Sequence, residues 1–422
     1  MSIIDELLSD VLIPPMAKVR QVFPRPVLRN VAEVVQREMM KPGLLDKIKP
    51  GDSVAVTVGS RGIANLPVII REIVDSLKKA GAQPFIVPAM GSHGGASAEG
   101  QTEVLSGLGI TPESVGAPIR ATMEVINLSE EGQSPVYFDR NAFAAQHTVV
   151  VGRVKIHTSF RGPYESGIVK MIAIGLGKQK GAELCHSLGL EKMSAQIESM
   201  ARIAIAKTNI LCGVALLENG YDETCKIVSI PAGQILDAEP ALLVEARGYM
   251  PQVYLNHIDV LIVDEMGKNI SGTGLDPNII ERFTTPSIPD TDKFQRIVIR
   301  DLTPESHGNF NGSGLADMCT RRLFEKMDFA ATYPNPLTSR VAGSVKIPMV
   351  LETDRQAIRA AIKTCLNIDP ANVRMVRIKN TLHLEEIQIS AALMREARSH
   401  PHIEVLENAA PLLFDTQGDL QK

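Results

Sequence analysis

Short β-branched runs alternate with amphipathic stretches through the first half of the chain, and this alternation restricts the fold more than any other feature. SVAVTVGS (53–60) reads as a buried strand and LPVIIREIVDSLKKAGA (66–82) as an amphipathic helix closed by Gly81. PFIVPAM (84–90) is a second strand, and Ser97 opens a second helix that runs to Leu108. HTVVVGRV (147–154) and ILCGVALLE (210–218) are further strands. A helical region spans about Gly167 to Ala206, and GQILDAEPALLVEAR (233–247) is a helix interrupted at Pro240. Strand–helix–strand repetition of this kind predicts an α/β fold with largely parallel or mixed sheets.

The pattern restarts after YMPQ (249–252), with strands in IDVLIVDEM (258–266) and RIVIRDL (296–302) and a helix in RQAIRAAIKTCLNI (355–368). Two α/β domains are therefore expected: residues 1–250, catalytic and cofactor-anchoring, and residues 251–422, closing a cleft that holds the active site. With 44% hydrophobic residues the core needs no disulfide staples. A net charge of −4, with Lys and Arg scattered, gives no basis for nucleic-acid or anionic-membrane binding. The N-terminal MSIIDELLSDVLIPP carries acids where a signal peptide needs bases, and reads as an amphipathic helix followed by an extended turn. No stretch approaches the roughly 18 apolar residues of a membrane span. Five cysteines without CxxC spacing point to core thiols in a reducing, cytoplasmic setting.

Ligands of parallel α/β proteins bind beyond the carboxyl ends of the strands. The segments there are GSRGIAN (59–65), GSHGGAS (91–97), KIHTSFRGPYESG (155–167), DEMGKNISGTGLDPN (264–278) and SHGNFNGSG (306–314). All are rich in Gly, which permits close backbone approach to a ligand. His93 and His157 each follow a buried strand, where an imidazole can act as acid or base near neutrality, or simply bond the backbone. Two such histidines can serve both faces of a planar intermediate. Lys170 lies in the apolar run SGIVKMIAIGLG, where an ammonium must snorkel, pair or react. A lysine of lowered pKa is a competent nucleophile. His186 in AELCHSLG is either a metal ligand or a core histidine, and Cys185 points about 100° away from it on a helix. Arg61 suits a carboxylate, which its planar fork can bind at both oxygens; Arg153, Lys155 and Arg161 offer alternatives.

Arg61, His93, His157, Lys170 and His186, in that order and in these strand-end contexts, resemble the nickel-dependent lactate racemase family. The sixteen-residue interval from Lys170 to His186 agrees, and the GIVKMIAIGLG and ELCH segments look similar. The resemblance spans most of the first 250 residues and extends loosely to DEMGKNISGTGLDPN. It implies a nickel-pincer nucleotide, a pyridinium bisthiocarboxylic acid mononucleotide holding nickel, attached at Lys170 and ligated through the metal by His186. It also implies inversion of a 2-hydroxy acid at C2 by hydride transfer through a 2-keto acid, with His93 and His157 alternating as acid and base and Arg61 on the carboxylate. Proteins that synthesise the cofactor would be partners.

Three departures bear on the substrate. SFRGPYE lengthens the interval between His157 and Lys170, the chain has no tryptophan, and the family's second-domain glutamine and lysine lack clear equivalents. Aligning through LDPNIIERF places Glu281 and Thr284 near those positions, while Lys268 and Asn269 offer cofactor contacts from the preceding loop. A substrate larger or more polar than lactate is expected, an aldonic or dicarboxylic hydroxy acid. Two other readings stay open: a divalent-metal hydrolase or lyase with His93, His157 and His186 as ligands, and a non-catalytic carrier of nickel or its nucleotide.

Overall fold

β1 (Met16–Gln21) lies antiparallel to segments near the other end of the chain, with Met16 opposite Ser390 and Gln21 opposite Ile403. That pairing divides the polypeptide. The residues up to Phe23 belong with Pro251 onward in one unit, and Pro24–Met250 forms the other. The sequence groups residues 1–23 with the first domain; the structure differs because strand pairing over such a separation leaves no local periodic signal. The computed structural model describes every residue except Met1, Pro286 and Lys422.

The unit Pro24–Met250 contains β2 (Ser53–Val58), β3 (Gln83–Pro88), a small hairpin of β4 (Val125–Asn127) and β5 (Tyr137–Asp139), then β6 (His147–Arg153), β7 (Ile210–Glu218) and β8 (Thr224–Pro231). Five of these make one sheet in the order β3-β2-β6-β7-β8. The first four are mutually parallel and β8 runs antiparallel to β7, so the sheet is mixed as expected. Its strands read as nearly unbroken apolar runs because helices cover the faces. Helix Leu66–Lys79 shows how. Leu66, Ile69, Ile70, Ile73, Val74 and Leu77 recur at helical spacing and are buried in the core with Val54, Val56 and Val58 of β2. Each contributes about 1.5–3 kcal/mol on leaving water. Pro67 sits in the first turn, Lys78 and Lys79 complement the last, and Gly81 follows with φ +89°.

Two helical expectations are corrected. The region 167–206 is broken into a turn at Ile168–Lys170, a wider π-helical turn at Met171–Gly175, and helices Lys178–Ser187 and Met193–Lys207. Helix Ile235–Tyr249, by contrast, runs through Pro240 without interruption. The proline removes the amide that would bond Leu236 O, and the Tyr164 hydroxyl takes that carbonyl instead at 2.7 Å.

The other unit holds β9 (Ile258–Val263), β10 (Phe294–Ile299), β11 (Met318–Thr320), β12 (Met349–Leu351), β13 (Met375–Ile378), β14 (Glu386–Ser390) and β15 (Ile403–Val405). Together with β1 they form a mixed sheet ordered β12-β11-β10-β9-β13-β14-β1-β15. Helix Asp354–Thr364, capped by Thr353, packs Ala357, Ile358 and Ala361 onto it. No helix among the described residues is long and apolar enough to cross a membrane.

Candidate active site

The carboxyl ends of β2, β3, β6 and β7 all lie on one edge of the five-stranded sheet, and four short segments bring polar side chains to it. Arg61 follows β2. Its loop is pinned by Glu218 at the end of β7, whose carboxylate accepts the Ala64 amide at 2.6 Å and pairs with Arg153. Arg61 itself has no hydrogen-bond or ion-pair partner among the described residues. Arg61 is exposed to solvent, while desolvation by the surrounding protein, followed by the Arg153 charge, disfavours its charged form.

His93 follows β3 on an exposed turn. Its Nδ1 lies 2.8 Å from Met90 O, and a carbonyl can only accept, so Nδ1 carries hydrogen and the neutral ring keeps its lone pair on Nε2. His157 follows β6 and is held the other way. The Ser159 amide donates to its Nδ1 at 3.0 Å, which leaves the hydrogen of the neutral ring on Nε2. Burial, followed by the charges of Lys170 and Arg161, pushes His157 well below the ordinary imidazole value. The buried Glu165 ties off this loop, accepting the His157 amide at 2.6 Å and facing Arg161 and Arg247 at 3.7 and 3.4 Å.

The turn bearing Lys170 presses directly on β6 and β7. A Cβ at Gly213 would meet Ile168 Cδ1 at 2.6 Å, and one at Gly152 would meet Met171 Cγ at 3.1 Å, so neither position admits a larger residue without movement. Glu239, buried, caps the turn: its Oε2 accepts the Val169 amide at 2.9 Å. Burial pulls Lys170 down to about 8, and the Arg61 charge adds to the effect. Its Nζ has no hydrogen-bond or ion-pair partner among the described residues and lies 5.4 Å from the centre of the Phe160 ring. Phe160 in turn packs on His157 with ring centres 4.2 Å apart. His186, lowered by burial and then by Lys170, leaves Nδ1 buried without a partner. Cys185 is turned into the core against Met200 Sδ at 3.3 Å, and burial pushes its thiol up to about 12.

The structure thus brings Arg61, His157, Lys170 and His186 within electrostatic reach of one another. His93 stands on the same edge, at the end of the outer strand. Strand β2 separates β3 from β6, which spaces the starts of the two histidine loops by about 10 Å. Among the described residues no group of three or more His, Cys, Asp or Glu is arranged to hold an ion, so direct ligation by His93, His157 and His186 together has no geometric support.

Lys268 and Asn269 lie in the other unit, on the segment after β9. Lys268 Nζ donates to Gly272 O at 2.7 Å, and Asn269 Oδ1 accepts from Thr303 Oγ1 at 2.7 Å. The polar neighbours behave alike. Ser271 lies 3.2 Å from Thr273, Asn309 donates to Ala331 O and Asn335, and Asn311 accepts from Ser344. These hydrogen bonds tie the loops to themselves and to neighbouring segments of the same unit.

No model of a known protein family matches the chain, and no curated protein matches it. Among solved structures it is similar to a protein from Thermotoga maritima, with a TM-score of 0.52 at 10% identity, covering 86% of this chain and 99% of that one. The two share a fold. The lactate racemase apoprotein from Thermoanaerobacterium thermosaccharolyticum also matches, with a TM-score of 0.43 at 11% identity, over 68% of this chain and 74% of that one.

Sequence reasoning missed the residues that hold the site together. Glu165 and Glu239 read as ordinary loop and helix acids, and only their burial identifies them. Lys178 and Asp139 are both 0% exposed and form an ion pair at 3.1 Å. Lys178 also adopts φ +54°, uncommon for a residue with a side chain. A lysine inside GLGKQKGAELCH carries no sign of this.

Proposed function

We propose that the chain is a 2-hydroxy-acid racemase or epimerase that works with a nickel-pincer nucleotide. The observation that carries this reading is a pair of donors on one turn-and-helix segment that have no hydrogen-bond or ion-pair partner among the described residues: Lys170 Nζ, and the buried Nδ1 of His186. They fit such a group. An amine drawn down to about 8 is largely neutral at mildly basic pH, so Lys170 would hold the group as a thioamide formed from its thiocarboxylic acid with loss of water. A neutral imidazole nitrogen suits nickel. When bound, the cofactor supplies a reversible acceptor for the C2 hydrogen and its electron pair.

The chain's own residues do the rest. Arg61, exposed and without a hydrogen-bond or ion-pair partner among the described residues, receives the substrate carboxylate. His93 presents the Nε2 lone pair, takes the hydroxyl proton as C2 becomes planar, and returns it when the centre is rebuilt. His157 offers Nε2–H to the same oxygen as negative charge develops there. For His157 to act as base at Nε2 it must first release the Ser159 amide and move its hydrogen to Nδ1. In this conformation, then, the two histidines divide the work rather than alternate. The cations Arg61 and Lys155, together with the lack of tryptophan, favour an aldonic or dicarboxylic acid over lactate.

The test is incubation of C2-deuterated malate, gluconate and lactate with protein made in cells that synthesise the cofactor. Inversion with the label retained at C2 is expected. Inversion with loss of the label to water would mean that the C2 hydrogen leaves as a proton and would overturn the mechanism. A carrier gives no inversion at all.

A further inference from the structure

Lys178 begins the helix that carries His186, and its side chain runs inward. Its Nζ reaches three separate pieces of the fold: the carbonyl of Pro88 at the end of β3, Gln101 Oε1 at 3.0 Å on helix Ala98–Gly107, and Asp139 Oδ2 at 3.1 Å at the end of β5. Gln101 is likewise 0% exposed, and its amide nitrogen donates to Gly91 O at 2.9 Å and His93 O at 3.2 Å. The chain of bonds therefore runs from the His186 helix through Lys178 and Gln101 into the backbone of the His93 turn. Asp139 is itself fixed, since its Oδ1 accepts the Ala142 amide at 2.9 Å.

Burying an ammonium and a carboxylate together gains little stability, because the desolvation of both charges offsets most of their attraction. Apolar residues of similar volume serve a core as well or better. A strained backbone at the same residue adds a cost, and strain of this kind gathers where geometry is in demand. We propose that Lys178, acting through Gln101, is a positioning residue that holds the His93 turn at a fixed place relative to the His186 helix and keeps the His93 hydrogen on Nδ1. The helix transmits the constraint: His186 is eight residues on, about 12 Å along a rigid rod. The consequence for turnover rests on the reading of His93 as a base, whereas the consequence for the His93 tautomer does not.

The experiment uses the full chain labelled with ¹⁵N-histidine, the His93 resonance being assigned with His93→Gln. The expected wild-type spectrum shows His93 hydrogenated at Nδ1. The double variant K178M/D139L removes both charges together, so no lone buried ion is left to unfold it. Gln101→Met is the second variant; it deletes the N–H bonds to Gly91 and His93 and leaves Lys178 its contacts with Pro88 O and Asp139. In both, His93 is expected to shift to the Nε2–H form, with melting temperature within a few degrees of wild type for Gln101→Met. On a hydroxy acid that the wild type inverts, kcat is expected to fall at least tenfold with KM within twofold. A His93 tautomer unchanged in Gln101→Met, or an Nε2–H form already present in the wild type, overturns the proposal. A tautomer shift in a chain that inverts no hydroxy acid supports the brace and counts against the racemase reading alone.

Discussion

His93 and His157 are held in opposite tautomers: the first gives its Nδ1 hydrogen to Met90 O at 2.8 Å, and the second receives the Ser159 amide on Nδ1 at 3.0 Å. The two rings are therefore not interchangeable, and their substitutions should differ in kind. His157→Gln keeps an N–H donor and is expected to lose about 10- to 100-fold in kcat, while His157→Phe loses roughly 1,000-fold or more. His93→Gln, which lacks a base, is expected to behave like the phenylalanine variant. Steady-state assays of the three proteins check this, and equal losses for His157→Gln and His157→Phe would remove the donor role.

Lys170 gives a second test that needs no substrate. With its value at about 8, near half of it is neutral at pH 8, against well under about 1% of an ordinary lysine. A limiting amount of an amine-reactive acylating reagent at pH 8 should label Lys170 at least tenfold faster than the exposed lysines, as read by peptide mass. Arg61→Met removes a nearby positive charge, so Lys170 should rise and its labelling should slow. Labelling that is uniform across lysines, or unchanged by Arg61→Met, goes against the electrostatics described here.

Glu239 links stability to pH. Burial raises its carboxyl to about 7 while it accepts the Val169 amide. The folded state thus holds a proton that the unfolded chain, with an ordinary value near 4.5, has released. Stability is fully present below pH 4.5, declines as pH rises from about 4.5 to 7, and levels off above. Glu239→Gln keeps an acceptor for the amide and cannot ionise, so the part of the pH dependence due to this site should vanish. At pH 8 the variant should be more stable than wild type by roughly 1–3 kcal/mol. Urea titrations of both proteins at pH 5 and pH 8 make the comparison, and an equal difference at the two pH values would contradict the assignment.

Arg61 is expected to act in binding. Arg61→Lys keeps charge but loses the fork, and should raise KM for a hydroxy acid by about tenfold with a smaller change in kcat; Arg61→Met should raise it further. A kcat loss with KM unchanged would place the guanidinium on the transition state alone.

The parallel strands of the first unit are legible in the sequence because both their faces are buried, which leaves unbroken runs such as SVAVTV, and because capped helices of clear period separate them. The helix ends follow the same logic: Ser97 accepts the Gly100 amide, as its position before the apolar run suggests. What escapes is what depends on distant partners. β1 pairs with strands near the far terminus, β11 and β12 are three residues long and too short to show a period, and the fate of Pro240 turns on a tyrosine hydroxyl seventy-six residues earlier. At the site, the residues with conspicuous chemistry could be found from their place after strands. The acids and the lysine that hold them in place could not, because burial rather than residue type marks Glu165, Glu239, Asp139 and Lys178.

The central claim is that Lys170 and His186 hold a nickel nucleotide, and the mass of the Lys170 peptide tests it most directly. Protein purified from cells that make the cofactor should carry a mass increment on that peptide and about one nickel per chain. Both should be lost in Lys170→Ala, and nickel alone should be reduced in His186→Ala. An unmodified Lys170 peptide and no bound nickel, in protein from the same cells, would contradict the account.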